Sequence, residues 1–169
     1  MSAAAMRAIA LDAKKSCQAL SLLSPAQKEK ALRAMAQELL KNRDAILHAN
    51  GKDVEAAKKK GLAPALVARL ALDGPKLRKI VQSLESISRL ADPVGRVIWE
   101  KMRPNGLRIQ KIAVPLGTIL IIYESRPNVT DDCMALCLKS ANSVRTFWPP
   151  RRNGRQRFST VTWGRLRSA

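Results

Sequence analysis

The stretch VPLGTILIIYESRPNVTDDCMALCLKSANSV, residues 114–144, puts three kinds of local structure in succession. Thr118 to Tyr123 is apolar and rich in β-branched residues, with the length and composition of a strand buried on both faces. Glu124, Ser125, Arg126, Pro127 and Asn128 are polar and include a proline, so strand pairing has to stop and the chain has to turn. Val129, Cys133, Leu136 and Cys137 then recur at helical spacing, with Asp131 and Asp132 read into the first turn, where the helix dipole favours carboxylates. The unit is strand, polar turn, helix. In open α/β sheets ligands gather beyond the carboxyl ends of strands, so residues 123–128 are where chemistry is expected.

Upstream the pattern is helical. Met6, Ile9, Ala13, Cys17 and Leu20 predict an amphipathic helix over 3–21. Ser24, Pro25 and Gln27 spell a helix start with a capping box, and Leu32, Met35, Leu39, Ile46 and Leu47 carry that helix to about Leu47. His48, the single histidine, is read at its C-terminal end, with Asn50-Gly51 breaking the chain. A charged helix from Asp53 to Lys60 is expected to stop at Gly61, and a short one to run from Ala65 to Leu70. Asp73-Gly74-Pro75 opens a helix whose apolar stripe, Leu77, Ile80, Val81, Leu84, Ile87 and Leu90, is the strongest in the chain, and Asp92-Pro93 closes it. Val94 to Trp99 and Leu107 to Ala113 alternate as strands about Arg103-Pro104-Asn105-Gly106, a hairpin signal. The expected class is α/β: a helical N-terminal half, a β-hairpin, then a strand-turn-helix unit.

Three motif groups carry a resemblance. They are Pro115-Leu116-Gly117 followed by an apolar strand, then Tyr-Glu-Ser-Arg-Pro-Asn-Val-Thr at 123–130, and Cys-Leu-Lys-Ser at 137–140. Shorter matches upstream are Asn-Gly-Lys-Asp-Val-Glu-Ala-Ala at 50–57, Arg-Leu-Ala-Leu-Asp at 69–73 and Asp-Pro-Val-Gly at 92–95. Together they resemble γ-glutamyl phosphate reductase, or glutamate-5-semialdehyde dehydrogenase, a proline-biosynthesis branch of the aldehyde dehydrogenase superfamily. The resemblance covers only the N-terminal part of that family and ends near Val144. It implies that the strand-turn-helix unit is the first of an incomplete aldehyde dehydrogenase-like nucleotide-binding domain, with γ-glutamyl phosphate as substrate and NADPH as hydride donor. In that chemistry a cysteine thiolate displaces phosphate, and hydride then reduces the acyl thioester. Asn128 is implied as a donor to the oxyanion, against a plain role as helix cap. Tyr123, Glu124, Ser125 and Arg126 are implied on the substrate or cofactor side, with Arg126 also able to pair Asp131 or Asp132. A homo-oligomer through the 94–113 hairpin is implied as well.

No nucleophile is expected among these residues. Cys17, Cys133 and Cys137 lie on apolar helical faces without a neighbouring histidine, and the family's reactive cysteine lies farther downstream. No metal site is expected either, because Cys133 and Cys137 lack further ligands. NADPH is accordingly not expected to bind these residues alone, and the chain is read as a truncated, inactive family member.

The net charge of +18 would by itself suggest a polyanion partner. Its distribution argues otherwise: residues 1–144 hold 24 Lys and Arg against 13 Asp and Glu, spread along helices as solvated faces. Residues 145–169 hold seven Arg, no acid, and four of the six aromatic residues. That tail, in which no helical or strand period can be traced, is read as disordered or as a shifted reading frame. The competing reading is a basic module binding nucleic acid through arginine and stacking. With an odd number of cysteines, no leader pattern and no long apolar run, the expected place is the cytoplasm, with no membrane partner.

Overall fold

The computed structural model describes residues 3–122, 127–147 and 158–159. Five helices come first: α1 (Ala3–Ser21), α2 (Pro25–Lys41), α3 (Arg43–Lys59), α4 (Pro64–Leu70) and α5 (Gly74–Arg89). Strands β1 (Val97–Met102) and β2 (Arg108–Ile112) form an antiparallel hairpin. A βαβ unit follows, β3 (Thr118–Ile122), α6 (Pro127–Lys139) and β4 (Ser143–Phe147), with β5 (Phe158–Ser159) antiparallel to β4. The class is α/β, as the sequence implied.

Local signals explain three of the helix ends. Ser24 accepts from the Gln27 N–H while Gln27 Oε1 accepts from the Ser24 N–H at 2.8 Å, the reciprocal pair of a capping box. Asp73 Oδ1 accepts from the Lys76 N–H at 2.7 Å and caps α5. At the end of α3, Gly61 has φ +69°, its N–H meets Lys58 O and the Leu62 N–H meets Ala57 O. This paired closure needs a left-handed residue, which glycine adopts without steric cost.

One helix boundary differs from the sequence reading. The helix from Pro25 stops at Lys41, and a new one runs straight through His48 and Asn50-Gly51. Asn42 makes the break: its Nδ2 bonds Glu38 O at 2.9 Å and Glu38 Oε2 at 3.1 Å, a local alternative to continuing the helix. Asn50 tolerates mid-helix placement because its amide is used elsewhere. Its Nδ2 donates to Leu70 O at 3.0 Å and its Oδ1 accepts from the Leu72 N–H at 2.7 Å, tying α3 to the end of α4. His48 is thus an exposed mid-helix residue, not a helix terminus.

Among the described residues one cluster forms the main core. Leu20 of α1, Ala31, Leu32 and Ala36 of α2, Ile80, Val81, Leu84 and Ile87 of α5, and Ala135 and Leu138 of α6 pack together. Helix α6 therefore belongs to the same core as the helical half. Burying a leucine such as Leu84, fully enclosed here, is worth about 2 to 3 kcal/mol.

The sheet also differs. No strand period is traceable from residue 145 on, yet β3 pairs in parallel with β4, Thr118 opposite Ser143 through Ile122 opposite Phe147. The break in composition at Val144/Arg145 falls inside β4, so pairing continues three residues past it. A parallel pair needs a crossover such as α6, which the sequence shows clearly, whereas a second strand of sequence SVRTF has too little apolar alternation to be seen alone. β3 is half-buried on the Ile119/Ile121 side and exposed on the other, Leu120 and Ile122 included, so it is not buried on both faces among the described residues. The hairpin begins later than expected, at Val97, and reaches Met102.

Candidate functional site

The end of β3 and the start of α6 face the predicted region of chemistry. Tyr123, Glu124, Ser125 and Arg126 lie outside the described residues, and of Asn128 only the backbone is described. That backbone is informative. Helix α6 begins at Pro127, whose missing N–H suits a first helical position. Asn128 lies inside the first turn, so it is not the residue capping a helix from Val129. Asp131 and Asp132 accordingly fall in the second turn, one turn later than expected, and α6 has no acid in its first turn.

The second of these carboxylates, Asp132, meets α5. Ser83 Oγ donates to Asp132 Oδ1 at 2.6 Å, a bond between α5 and α6. Burial, with the Asp132 carboxylate beside it, pushes the Asp131 carboxyl up to about 6. Such a group holds its proton at mildly acidic pH, when a surface aspartate has lost it.

The surroundings of Cys133 and Cys137 disfavour the thiolate. Burial, then the charge of Asp132, raises the Cys133 thiol. Burial raises Cys137 to about 11, with Cys133 adding to it. A thiolate needs the opposite environment, a cation or a helix N-terminus in close reach. Among the described residues no group of three His, Cys, Asp or Glu side chains could hold a metal ion.

The far end of α6 is better built than its sequence suggests. Ala141 takes φ +56°, its N–H bonds Leu138 O and the Asn142 N–H bonds Cys137 O. Buried Asn142 then accepts from the Gly117 N–H through Oδ1 at 2.8 Å, while its Nδ2 donates to Ser140 Oγ at 2.8 Å. Ser143 Oγ donates to Thr118 Oγ1 at 2.8 Å across the parallel pair. Arg145, just past the composition break, donates to Ile9 O at 2.9 Å and pairs Asp12 at 3.2 Å, holding β4 to α1.

Two lysines counted above as solvated are buried. Lys28 ion-pairs Asp92 at 2.5 Å and Lys139 Nζ donates to Ser88 O at 2.7 Å. Lys28 Nζ also reaches Lys139 O at 3.4 Å. The one available sequence signal was position: Lys28 falls on the Ala31/Leu32 stripe, and Lys139 directly follows Leu138 on the buried face. Two shallow clefts flank this region. One of about 290 Å³ is polar and lined by Arg33, Gln37, Glu85, Ser88 and Arg89. The other, about 300 Å³, is apolar and lies between Pro93, Val94, Val114, Leu116, Ile119 and Leu136.

No protein-family model matches the chain. Individual relatives do. It is 52% identical over 132 residues to the γ-glutamyl phosphate reductase of Paramagnetospirillum magneticum, covering 78% of this chain and 31% of the relative. It is 48% identical over 125 residues to that of a Geobacillus species, covering 74% of this chain and 30% of the relative. The crystal structure of γ-glutamyl phosphate reductase from Thermotoga maritima superposes with a TM-score of 0.79 at 39% identity, over 83% of this chain and 34% of that one. The matched part of the chain belongs to the γ-glutamyl phosphate reductase family. The yeast γ-glutamyl phosphate reductase structure agrees, with a TM-score of 0.82 at 33% identity over 88% of this chain and 38% of its own. The chain spans about a third of the length of the curated γ-glutamyl phosphate reductases it matches. Among the described residues no helix is long and apolar enough to cross a membrane.

Proposed function

We infer that residues 1–144 supply the N-terminal part of an aldehyde dehydrogenase-like enzyme that reduces γ-glutamyl phosphate to glutamate-5-semialdehyde with NADPH in the cytoplasm. The observation that carries this reading is the superposition of 83% of this chain, at 39% identity, on a structure of that family. In the complete reaction NADPH and a proton convert the acyl phosphate to aldehyde, NADP⁺ and free phosphate. The residues here do not hold the nucleotide by themselves and provide no reacting sulfur, because Cys133 and Cys137 are raised thiols in a helix face. Asn128, within the first turn of α6, is assigned to the oxyanion, and Tyr123, Glu124, Ser125 and Arg126 to the substrate or cofactor side. The hairpin is assigned to subunit contact, in keeping with the exposure of Val97, Ile98, Trp99, Met102 and Ile112.

A chimera tests the assignment. Residues 1–142 replace the corresponding part of the Thermotoga maritima reductase, and oxidation of the semialdehyde is followed with NADP⁺ and phosphate. Activity within tenfold of the parent is expected, and a loss of about a hundredfold on Asn128→Ala. A folded chimera without activity overturns the reading. Residues 145–169 are assigned to a shifted reading frame. A gene in which neither alternative frame after the Val144 codon restores an apolar strand and a Gly-rich turn rejects that assignment.

A further inference from the structure

We propose that Asp92 and Asn142 are two polar pins that set the direction of the β1–β2 hairpin relative to the helical body. All six residues of β1 are exposed, and in β2 only Ile109 is partly covered. The strands themselves therefore lack the apolar contact that would orient them. Orientation has to come from the two points where the hairpin joins the body.

At the first, Asp92 uses both oxygens. Oδ1 accepts from the Val94 N–H at 2.9 Å, shaping the chain as it enters the hairpin, and Oδ2 pairs with buried Lys28 of α2 at 2.5 Å. Lys28 in turn touches the last carbonyl of α6, Lys139 O, and Lys139 Nζ bonds Ser88 O near the end of α5. One carboxylate thus refers the hairpin to three helices at once. At the second, Asn142 Oδ1 accepts from the Gly117 N–H at 2.8 Å while Gly117 O accepts from the Ser143 N–H at 3.0 Å. The two joints are tied to each other, since the Gly95 N–H bonds Ala113 O and the Ala113 N–H bonds Arg96 O.

Between the joints and α6 lies the apolar cleft of about 300 Å³ rimmed by Val94, Leu116 and Leu136. A filled contact there would hold the hairpin by packing. With the cleft open, a tilt meets little steric resistance and the polar pins carry the constraint.

Amide residual dipolar couplings of the 169-residue chain read this directly. In the unaltered protein one alignment is expected to fit α2, α5 and both hairpin strands. In Asp92→Asn the hairpin couplings at 97–102 and 108–112 are expected to shrink at least twofold while those of α2 and α5 stay. Adding Asn142→Ala shrinks them further. If Asp92→Asn fails to fold, the Lys28→Met/Asp92→Leu double variant, which leaves no buried unpaired charge, is measured with the same expectation. Hairpin couplings that keep the helical alignment in a folded variant overturn the proposal. A loss of thermal stability with unchanged couplings overturns it equally, because that is the signature of a lock on the fold and not on the hairpin.

Discussion

Lys28 Nζ stands 2.5 Å from Asp92 Oδ2, with the lysine side chain 2% exposed, although 64 positions separate them in the chain. Taking two charges out of water is costly, and leaving one behind without the other costs more. Lys28→Met or Asp92→Asn alone is therefore expected to lose about 3 kcal/mol of stability, and Lys28→Met/Asp92→Leu to lose less than either. Urea denaturation of the three variants measures it. The pair also has a pH signature. Burial pushes the Asp92 carboxyl up, but Lys28, the Val94 N–H and Lys139 outweigh burial and hold it below its ordinary value. A lowered carboxyl stabilises the fold above its unfolded value of about 4 and loses that contribution as pH falls through the folded value. The gap between the unaltered chain and Asp92→Asn should close below about pH 4.

Asp131 works in the opposite sense. Its carboxyl is pushed up to about 6 by burial and by Asp132. Between about pH 4 and that value the folded chain keeps a proton the unfolded chain has released, so stability falls as pH rises through the window. Asp131→Asn is expected to stabilise the protein by about 2 kcal/mol at pH 8 and by almost nothing at pH 4. Thermal melts at the two pH values decide it.

Ser83→Ala removes the hydroxyl that donates to Asp132 Oδ1 at 2.6 Å across α5 and α6. A hydrogen bond to a charged acceptor contributes about 1.5 kcal/mol or more, and that loss is expected in chemical denaturation. Hydrogen exchange should report it in α6 more than in α1.

Gly61→Ala isolates a backbone effect. A methyl placed there meets nothing within 4 Å, but φ is +69°, where an L side chain is strained. A loss of about 1 kcal/mol is expected from strain alone, read as a lower melting temperature with an unchanged fold.

Thiol chemistry provides the last test. Cys137 is buried and raised to about 11. With an alkylating reagent at pH 8 it is expected to react at least tenfold more slowly than in the urea-unfolded chain. Cys133→Ser and Cys137→Ser should leave the activity of the chimera described above unchanged within a few-fold, since neither sulfur is assigned to the reaction.

Short-range rules were enough for much of this molecule. The capping box at Ser24, the cap at Asp73, the glycine at 61, the α5 stripe and the hairpin turn each depend on groups within about six residues, so the order of residues along the chain carries them. The motifs from Pro115 to Ser140 likewise carried the family. What needed three dimensions was the pairing of distant groups. Asn50 reads as a chain breaker until Leu70 and Leu72 come to meet its amide. SVRTF is not recognisable as a strand until β3 lies beside it. Lys28 and Lys139 look like solvent-facing charges until the ends of α2, α5 and α6 converge and present Asp92 and two helix carbonyls to them. A buried charge is tolerated only where its partners arrive together, and contacts such as Lys28 to Lys139, 111 positions apart, are a property of the packed chain, with no local pattern to announce them.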